Sequence, residues 1–444
     1  MTATYWAEYA WLGGPAPTRP GVVITVDDGL ISSVEPDQPP PDHARRLPGL
    51  TVPGFANAHS HAFHRALRGR THDGTGTFWT WRQRMYDLAG RLDPDQYHAL
   101  ARATFAEMAL AGVTCVGEFH YLHHAPGGRP YADPNELGHR LLAAAAEAGI
   151  RITLLDTLYL TSTVDGSPLD GPQQRFGDGS LDAWSDRFDA LTPGPGSRIG
   201  AAAHSVRAVP RPELTRFGQR TEGLPVHLHL SEQRIENEAC LAEHGLTPTQ
   251  LIDSCGLIGP WVTAVHATHL TDDDRTTLGD SRTGVCFCPT TERDLADGIG
   301  PARALVDAGA PLSLGSDSHA VIDLLEEARA VELNQRLHDE RRGHFSADEL
   351  LTAATVNGHV SLGWSDAGVL TPGARADLVT FRLDTVRTAG YAPGTVAAAA
   401  VFGATAGDVQ HVIVDGREVV RDGFHLMVGD VSRALATSIA AVWT

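Results

Sequence analysis

Eight short β-type runs that alternate with helical stretches constrain the fold of this chain more than any other feature of its sequence. The segments between the runs carry helix signals, such as the glycine that closes 95–112 and the alanine-rich interior of 135–149. Eight strand–helix pairs over about 270 residues match a (β/α)8 barrel of the TIM type, and a doubly wound open sheet is the alternative. The runs are 50–61, 113–121, 150–160, 198–206, 225–232, 262–270, 284–290 and 311–319.

Both ends of the chain have sequence patterns of β hairpins, unlike the alternating strands and helices between them. Residues 21–34 and 409–420 each place an Asp-Gly pair between β-rich runs, which is a hairpin signal. We therefore predict an α/β protein with a small β-sandwich domain formed by both termini. The predicted domains are 1–52 with 368–425 for the small domain, 53–367 for the barrel and 426–444 for a C-terminal helix.

Charge and composition exclude several classes of partner. A formal net charge of −19 argues against binding to nucleic acid or to an anionic membrane, and it means that an anionic substrate needs a local basic pocket. The sequence has no apolar run of membrane-spanning length, and its first residues do not resemble a signal peptide. Five scattered cysteines do not suggest a disulfide framework, so we expect a cytoplasmic protein.

A His-Ser-His sequence ends the first β-type run. Residues i and i+2 of a strand point the same way, so His59 and His61 would both face the barrel axis at the end where barrel enzymes place catalytic groups. In a chain with 22 histidines such a pair can arise by chance. The alternative is one hydrogen-bonded histidine and one packing residue.

Polar residues at the ends of three other runs favour a metal site. His229 lies at the end of the fifth run, His266 in the sixth and Asp317 in the eighth. Strands 1, 5, 6 and 8 would bring these groups together at the barrel mouth, and three histidines with one aspartate suit Zn²⁺.

A hydrolytic mechanism follows from these groups. Zinc lowers the pKa of bound water toward neutrality, and Asp317 can take the proton of that water. Glu232 can carry a proton to a leaving nitrogen. His266 would orient the water and need not be a ligand; His269 is the rival for this role.

Several motifs resemble those of the amidohydrolase superfamily, and in detail those of its iminohydrolases acting on N-formimino-L-glutamate. They are HSHAFHR (59–65), FWTWRQRMY (78–86), EFHYLHH (118–124), HSVRAV (204–209), HLSEQ (229–233), GSDSH (315–319) and GVLTPGARAD (368–377). The resemblance implies a homodimer with one zinc per subunit and acid–base roles for Glu232 and His266. The implied zinc ligands are His59, His61, His229 and Asp317. The implied substrate contacts are Arg82, Tyr121, His204 and Arg207.

The residues agree with a dicarboxylate substrate. Guanidinium groups bind carboxylates bidentately, so Arg82 and Arg207 would supply the local positive field. The implied reaction is hydrolysis of the formimino group to N-formyl-L-glutamate and ammonia. His64 stands where the resemblance leads us to expect glutamine, and we keep it as a binding candidate with altered hydrogen bonding.

Other candidates have plainer interpretations. The histidines of 120–124 either shape the substrate mouth, which we expect, or form a second metal cluster. Cys286 and Cys288 could bind zinc, but we expect them to be buried strand residues. His319 either supports Asp317 or caps a helix. Two other functions stay open: deamination of a heterocyclic amine such as guanine, and a non-catalytic barrel scaffold.

Overall fold

The computed structural model describes residues 2–15, 17–72 and 76–444. In these ranges the strands, in chain order, are β1 Ala3–Ala10, β2 Arg19–Asp27, β3 Leu30–Glu35, β4 Arg45–Pro53, β5 Phe55–Ser60, β6 Val113–His120, β7 Arg151–Leu158, β8 Ser197–Ala203, β9 Val226–Leu230, β10 Val262–His266, β11 Gly284–Phe287, β12 Leu312–Leu314, β13 Leu378–Phe381, β14 Val409–Val414, β15 Arg417–Arg421 and β16 Phe424–His425.

The helices of the same ranges mostly follow the barrel strands. They are α1 Phe78–Arg91, α2 Pro94–Leu110, α3 Glu136–Ala148, α4 Leu181–Asp189, α5 Arg211–Arg220, α6 Arg234–His244, α7 Pro248–Ser254, α8 Asp272–Asp280, α9 Pro289–Asp294, α10 Ala302–Ala308, α11 Leu324–Asp339, α12 Ala347–Thr352, α13 Gly358–Ser361, α14 Val396–Gly403 and α15 Val431–Trp443. Short 3-10 turns cover Ala62–Leu67, Gly171–Arg175, Pro393–Thr395 and Ala406–Asp408, and a π-helical turn covers Ala353–Asn357. No helix of these ranges is long and apolar enough to cross a membrane.

Strands β5 to β12 form one parallel sheet in sequential order, which confirms the predicted barrel. Backbone hydrogen bonds close it: Asp317 N donates to the His59 carbonyl at 3.0 Å, and His61 N donates to the Asp317 carbonyl at 3.2 Å. All eight residues of β6 and of β7 are buried, as expected for strands covered on both faces. Closure therefore joins the two strand ends that carry the predicted metal ligands.

Both termini build the second sheet, as predicted. Its order is β16-β15-β14-β13-β4-β1-β2-β3, and β4 joins the terminal halves by pairing parallel to β1 and antiparallel to β13. Both Asp-Gly turns adopt the left-handed backbone of a hairpin, with φ of 49° and 84° at Asp28 and Gly29 and of 48° and 73° at Asp415 and Gly416. The chain changes sheet between β4 and β5, and the domain boundaries given from the sequence stay predictions.

A buried ion pair connects the barrel to this terminal sheet. Arg151, at the start of β7, donates from Nη1 to Asp377 Oδ1 at 2.8 Å and from Nη2 to Asp377 Oδ2. Each side chain is 1% exposed. The C-terminal helix also packs on the barrel, because Trp443 Nε1 donates to the Ala66 carbonyl at 3.1 Å.

Candidate active site

Four buried side chains meet where the barrel closes. One ligand atom from each of His59, His61, His229 and Asp317 lies within 4.8 Å of those of the others. The Nε2 atoms of His59 and His61 each lie 3.3 Å from Asp317 Oδ1. The structure therefore brings the four predicted ligands to one point.

Hydrogen bonds outside the cluster orient two of its imidazoles. Nδ1 of His61 donates to the Phe119 carbonyl at 3.0 Å, and Nδ1 of His229 donates to the His204 carbonyl at 2.9 Å. Each Nε2 is thereby left as the atom available to a metal ion. Among the described residues, neither ring nitrogen of the fully buried His59 has a hydrogen-bond partner.

This donor set fits zinc. Buried imidazole nitrogens without a hydrogen-bond partner are costly unless another partner satisfies them, and a metal ion does so. Three imidazoles and one carboxylate are among the ligands that zinc takes, at about 2.0–2.2 Å. The residues present therefore match the implied ion.

Two acid–base groups stand beside this cluster. His266 Nε2 lies 3.7 Å from Glu232 Oε1 and 3.9 Å from Asp317 Oδ2. Burial raises the pKa of Glu232 to about 7, although His266 opposes the shift. Burial alone would lower the pKa of His266, but the neighbouring carboxylates, Glu232 first, raise it well above its usual value. Perturbed pKa values of neighbouring buried groups are typical of functional sites.

The backbone is strained at the strand ends that carry these groups. Ser231, His266 and Asp317 have φ of 53°, 69° and 41°, in the left-handed region that side chains other than glycine rarely adopt. Each such residue costs on the order of 1–3 kcal/mol, and strain of this kind concentrates at functional sites.

Three residues of the cluster, His61, His229 and Asp317, line a cavity whose empty space, together with its open mouth, is about 530 Å³. All the predicted substrate contacts line it: His64, Arg82, Tyr121, His204 and Arg207. The aromatic wall also contains residues that the sequence analysis did not single out, namely Phe78, Trp81, Tyr86, Tyr159 and Phe176.

Helix α1 contributes one side of the cavity lining. Arg82 donates from Nε to the Tyr86 hydroxyl, and its guanidinium carbon lies 5.1 Å from the ring centres of Trp79 and Tyr86. His64 Nε2 and the Tyr121 hydroxyl, which line the same cavity, are 2.8 Å apart. His64 thus orients a predicted contact residue.

The expectation for the 120–124 histidines is wrong. His120, His123 and His124 are buried and do not line the cavity. The backbone nitrogens of His123 and His124 both donate to the Arg175 carbonyl, which fixes the chain at these two residues. One atom each of His120, His123 and Asp156 could meet at an ion, but Arg187 already pairs with Asp156 through two hydrogen bonds of 2.7 and 2.9 Å.

His319 supports the loop of Asp317 and does not cap a helix. Its Nδ1 lies 2.9 Å from Ser316 Oγ and its Nε2 3.2 Å from Ser60 Oγ, while Asp323 caps the following helix. His269 lines a different surface cavity from the one that contains His266.

Cys286 and Cys288 are buried thiols inside the barrel, as expected. One atom of Cys288 also lies within 4.8 Å of ligand atoms of His266 and Asp317. Burial raises the pKa of Cys288 well above its usual value, which disfavours the thiolate that metals bind.

The sequence analysis did not single out the buried Glu292 and Glu236, and it included the buried Glu118 only as part of the 118–124 motif. Glu292 accepts from Cys288 N at 2.8 Å and contacts His266 Nδ1 at 3.4 Å. Glu118 accepts from Ser60 Oγ and Ala62 N, both at 2.6 Å, and Glu236 pairs with Arg207. The position of Glu292 shortly after the seventh strand was a usable signal, since the other acid–base groups also follow strand ends.

Comparisons with known proteins agree with this geometry. A sequence model of the amidohydrolase family matches residues 50–419. Formimidoylglutamate deiminase of Pseudomonas aeruginosa is 38% identical over 90% of each chain, and 8-oxoguanine deaminase of the same species is 30% identical over 83% of each. The crystal structure of an amidohydrolase from Brucella melitensis aligns over 100% of both chains with a TM-score of 0.90 and 31% identity. This chain therefore belongs to the amidohydrolase family.

Proposed function

We propose that this protein is a zinc-dependent iminohydrolase that converts N-formimino-L-glutamate and water to N-formyl-L-glutamate and ammonia. The observation that carries the proposal is the pairing, in one cavity, of the metal-ligand cluster with two arginines, Arg82 and Arg207. In a protein of net charge −19, two guanidiniums in one cavity favour a substrate with two carboxylates. The similarity to formimidoylglutamate deiminase supports the same substrate.

His59, His61, His229 and Asp317 would hold the zinc ion. Zinc bound in such a site polarises water and lowers its pKa to about 7, which supplies the nucleophile. Hydroxide adds to the formimino carbon, the carbon–nitrogen bond to the terminal nitrogen breaks, and ammonia leaves.

The chain's own groups move the protons. Asp317 accepts the proton of the attacking water, and Glu232 donates a proton to the formimino nitrogen. The proton on Asp317 is the second one that this nitrogen takes up to leave as ammonia, and the hydroxyl proton returns to the Glu232 carboxylate as the formyl carbonyl forms. A pKa of about 7 keeps roughly half of the Glu232 carboxyl groups protonated at neutral pH, against well under 1% at the usual pKa of about 4.3. His266, which lies between the two carboxylates, donates from Nε2 to the oxygen that becomes negative during attack.

An ammonia-release assay tests the proposal directly. The substrates are N-formimino-L-glutamate, its aspartate analogue and guanine, with Asp317→Asn and Glu232→Gln as inactive controls. We expect turnover of the glutamate compound, weaker turnover of the aspartate compound and none of guanine. Release of ammonia from guanine alone would refute the iminohydrolase assignment.

A second candidate is hydrolytic deamination of a heterocyclic amine. The aromatic wall of the cavity and the similarity to 8-oxoguanine deaminase favour it. Such an enzyme would keep its activity in Arg207→Ala, whereas the proposed iminohydrolase would lose most of it.

The homodimer and the cytoplasmic location expected from the sequence stay predictions. Light scattering on the purified protein and fractionation of the source cells test them.

A further inference from the structure

One guanidinium of the cavity wall is already paired within the protein, and the pairing uses only one side of it. Arg207 Nη1 donates to Glu236 Oε2 at 2.5 Å. Arg207 is 8% exposed and Glu236 3%. Among the described residues, Nε and Nη2 of Arg207 donate to no acceptor, and Nε is fully buried.

The covalent geometry of arginine determines which N–H groups remain available for a ligand. The N–H bonds of Nε and Nη2 point in the same direction and form an edge that matches the two oxygens of a carboxylate, while Nη1 lies on the other side of the planar group. Because Glu236 takes only Nη1, the complete Nε/Nη2 edge is left for a second carboxylate.

We propose that Glu236 is a positioning residue for substrate recognition: it holds Arg207 by Nη1 and presents the Nε/Nη2 edge to one carboxylate of a dicarboxylate substrate. This inference rests on the proposed function for the class of substrate. It adds to that function a residue on α6 that lines neither the cavity nor the metal cluster.

The second arginine of the cavity is held differently. In the described part of the chain Arg82 forms no ion pair; it contacts the Tyr86 hydroxyl and the faces of Trp79 and Tyr86. Glu236 compensates the charge of Arg207, so Arg207 recognises the shape of a carboxylate and Arg82 supplies the uncompensated positive charge.

A purely structural role for the pair explains these contacts less well. A buried ion pair is on average no more stabilising than apolar residues of similar volume, so stability alone gives little reason for one beside a cavity. Glu236 Oε1 has no hydrogen-bond partner among the described residues, and besides Arg207 the carboxylate meets the Ser231 backbone in the short connection that precedes its own helix.

The experiment compares Glu236→Ala, Glu236→Asp and Glu236→Gln with a control, Glu238→Gln, which alters an exposed residue of the same helix. For each variant we would measure kcat and KM for N-formimino-L-glutamate and, by calorimetry, the Kd of N-acetyl-L-glutamate, an unreactive dicarboxylate. We expect Glu236→Ala and Glu236→Asp to raise KM and Kd at least about tenfold, since a charge-assisted bidentate contact is misaligned. Their kcat should stay within about threefold, because Glu236 touches no reacting atom.

Glu236→Gln should rescue most of the binding, because its amide oxygen still accepts from Nη1; the control should change nothing. A Glu236→Asp variant with unchanged KM and Kd overturns the proposal, as does a kcat loss without a KM change. Equal defects in the Gln and Ala variants also overturn it. If the wild type binds N-acetyl-L-glutamate but does not hydrolyse N-formimino-L-glutamate, the proposed function fails and the calorimetric series still decides the role of Glu236.

Discussion

Removing Arg151 should destabilise the protein in a way that depends on pH. Asp377 accepts two hydrogen bonds from this guanidinium. Its other donors among the described residues are Asp415 N at 2.9 Å and the Thr114 hydroxyl at 3.4 Å. Arg151→Met therefore leaves a carboxylate that is 1% exposed without its cation. Asp415, the other partner of Arg151, keeps Arg375 at 2.9 Å, so the loss is concentrated on Asp377.

The expected magnitude follows from this burial. Breaking a buried ion pair from one side costs about 3–5 kcal/mol. Unfolding entropies of about 2.1 cal/mol/K per residue give roughly 0.9 kcal/mol/K for a chain of this size that unfolds cooperatively, so Tm should fall by about 3–5 °C. Arg151→Met with Asp377→Asn should recover most of the loss, because no buried charge is then left.

The pH dependence has a definite sign. Burial raises the pKa of Asp377, but the Arg151 guanidinium more than offsets this and holds the pKa below its usual range. In the wild type the stabilisation is therefore present above about pH 4 and is lost as the pH falls through the lowered folded pKa. In Arg151→Met, burial acts without the cation, the folded pKa lies above the unfolded one, and the loss should shrink from pH 8 to pH 5.

Differential scanning calorimetry of the single and double variants at these two pH values is the assay. Arg375→Met, which removes a partly exposed partner of Asp415, is the matched control and should lower Tm by less than about 1 °C. Equal Tm losses at pH 5 and pH 8, or a double variant no more stable than the single one, would refute the reasoning.

Three further outcomes concern the active site. Asp317→Asn should lower both the bound zinc, measured by elemental analysis, and ammonia release by at least about 100-fold, because the carboxylate is both metal ligand and base. Full activity at wild-type metal content would contradict this. Glu232→Gln should lower kcat by about 10²–10⁴. It should also remove the fall in wild-type activity above about pH 7 that loss of the Glu232 proton causes, and an unchanged pH profile would contradict the assigned role. Glu292→Gln should lower kcat by about tenfold with unchanged zinc content, since it weakens the hold on His266 Nδ1; a lower zinc content would indicate a role in the metal site instead.

The sequence predicted the positions that depend on strand periodicity and chain order. His59 and His61 are two residues apart at a strand end, and barrel closure places them beside Asp317 at the opposite end of the eight-strand series. These relations need only the alternation of a strand and the order of the strands. That is why the ligand cluster could be proposed before any coordinates.

Strand periodicity does not decide whether His266 or His269 orients the water; the backbone angles after the strand decide it. His266 and Ala267 both adopt left-handed φ, of 69° and 48°, so the chain changes direction directly after His266 and takes His269 to another cavity. The same limit explains the error at 120–124, where hydrogen bonds to the Arg175 carbonyl fix the chain at His123 and His124. Pairs such as Arg207 with Glu236 join a loop after one strand to a helix after the next, and no periodicity specifies them.

The net charge of the chain helps to exclude classes of partner, but it does not predict which charged groups line the cavity. Glu236 compensates Arg207, so the groups left in the cavity are Arg82, Glu232, His266 and Asp317. A divalent cation held by the ligand cluster would add two positive charges to the cavity. Binding of a dicarboxylate should therefore depend on the metal even where the carboxylates do not touch it.

Calorimetry with N-acetyl-L-glutamate tests this coupling on metal-loaded and chelator-treated protein. We expect removal of the metal to weaken binding of N-acetyl-L-glutamate at least about tenfold, which is a coupling free energy of about 1.4 kcal/mol between the two ligands. Because such coupling is reciprocal, the dicarboxylate should slow the loss of zinc to a chelator. Unchanged affinity after metal removal would show that the arginines alone determine carboxylate binding. Circular dichroism of the treated protein is the control, because a collapsed site would mimic the electrostatic effect.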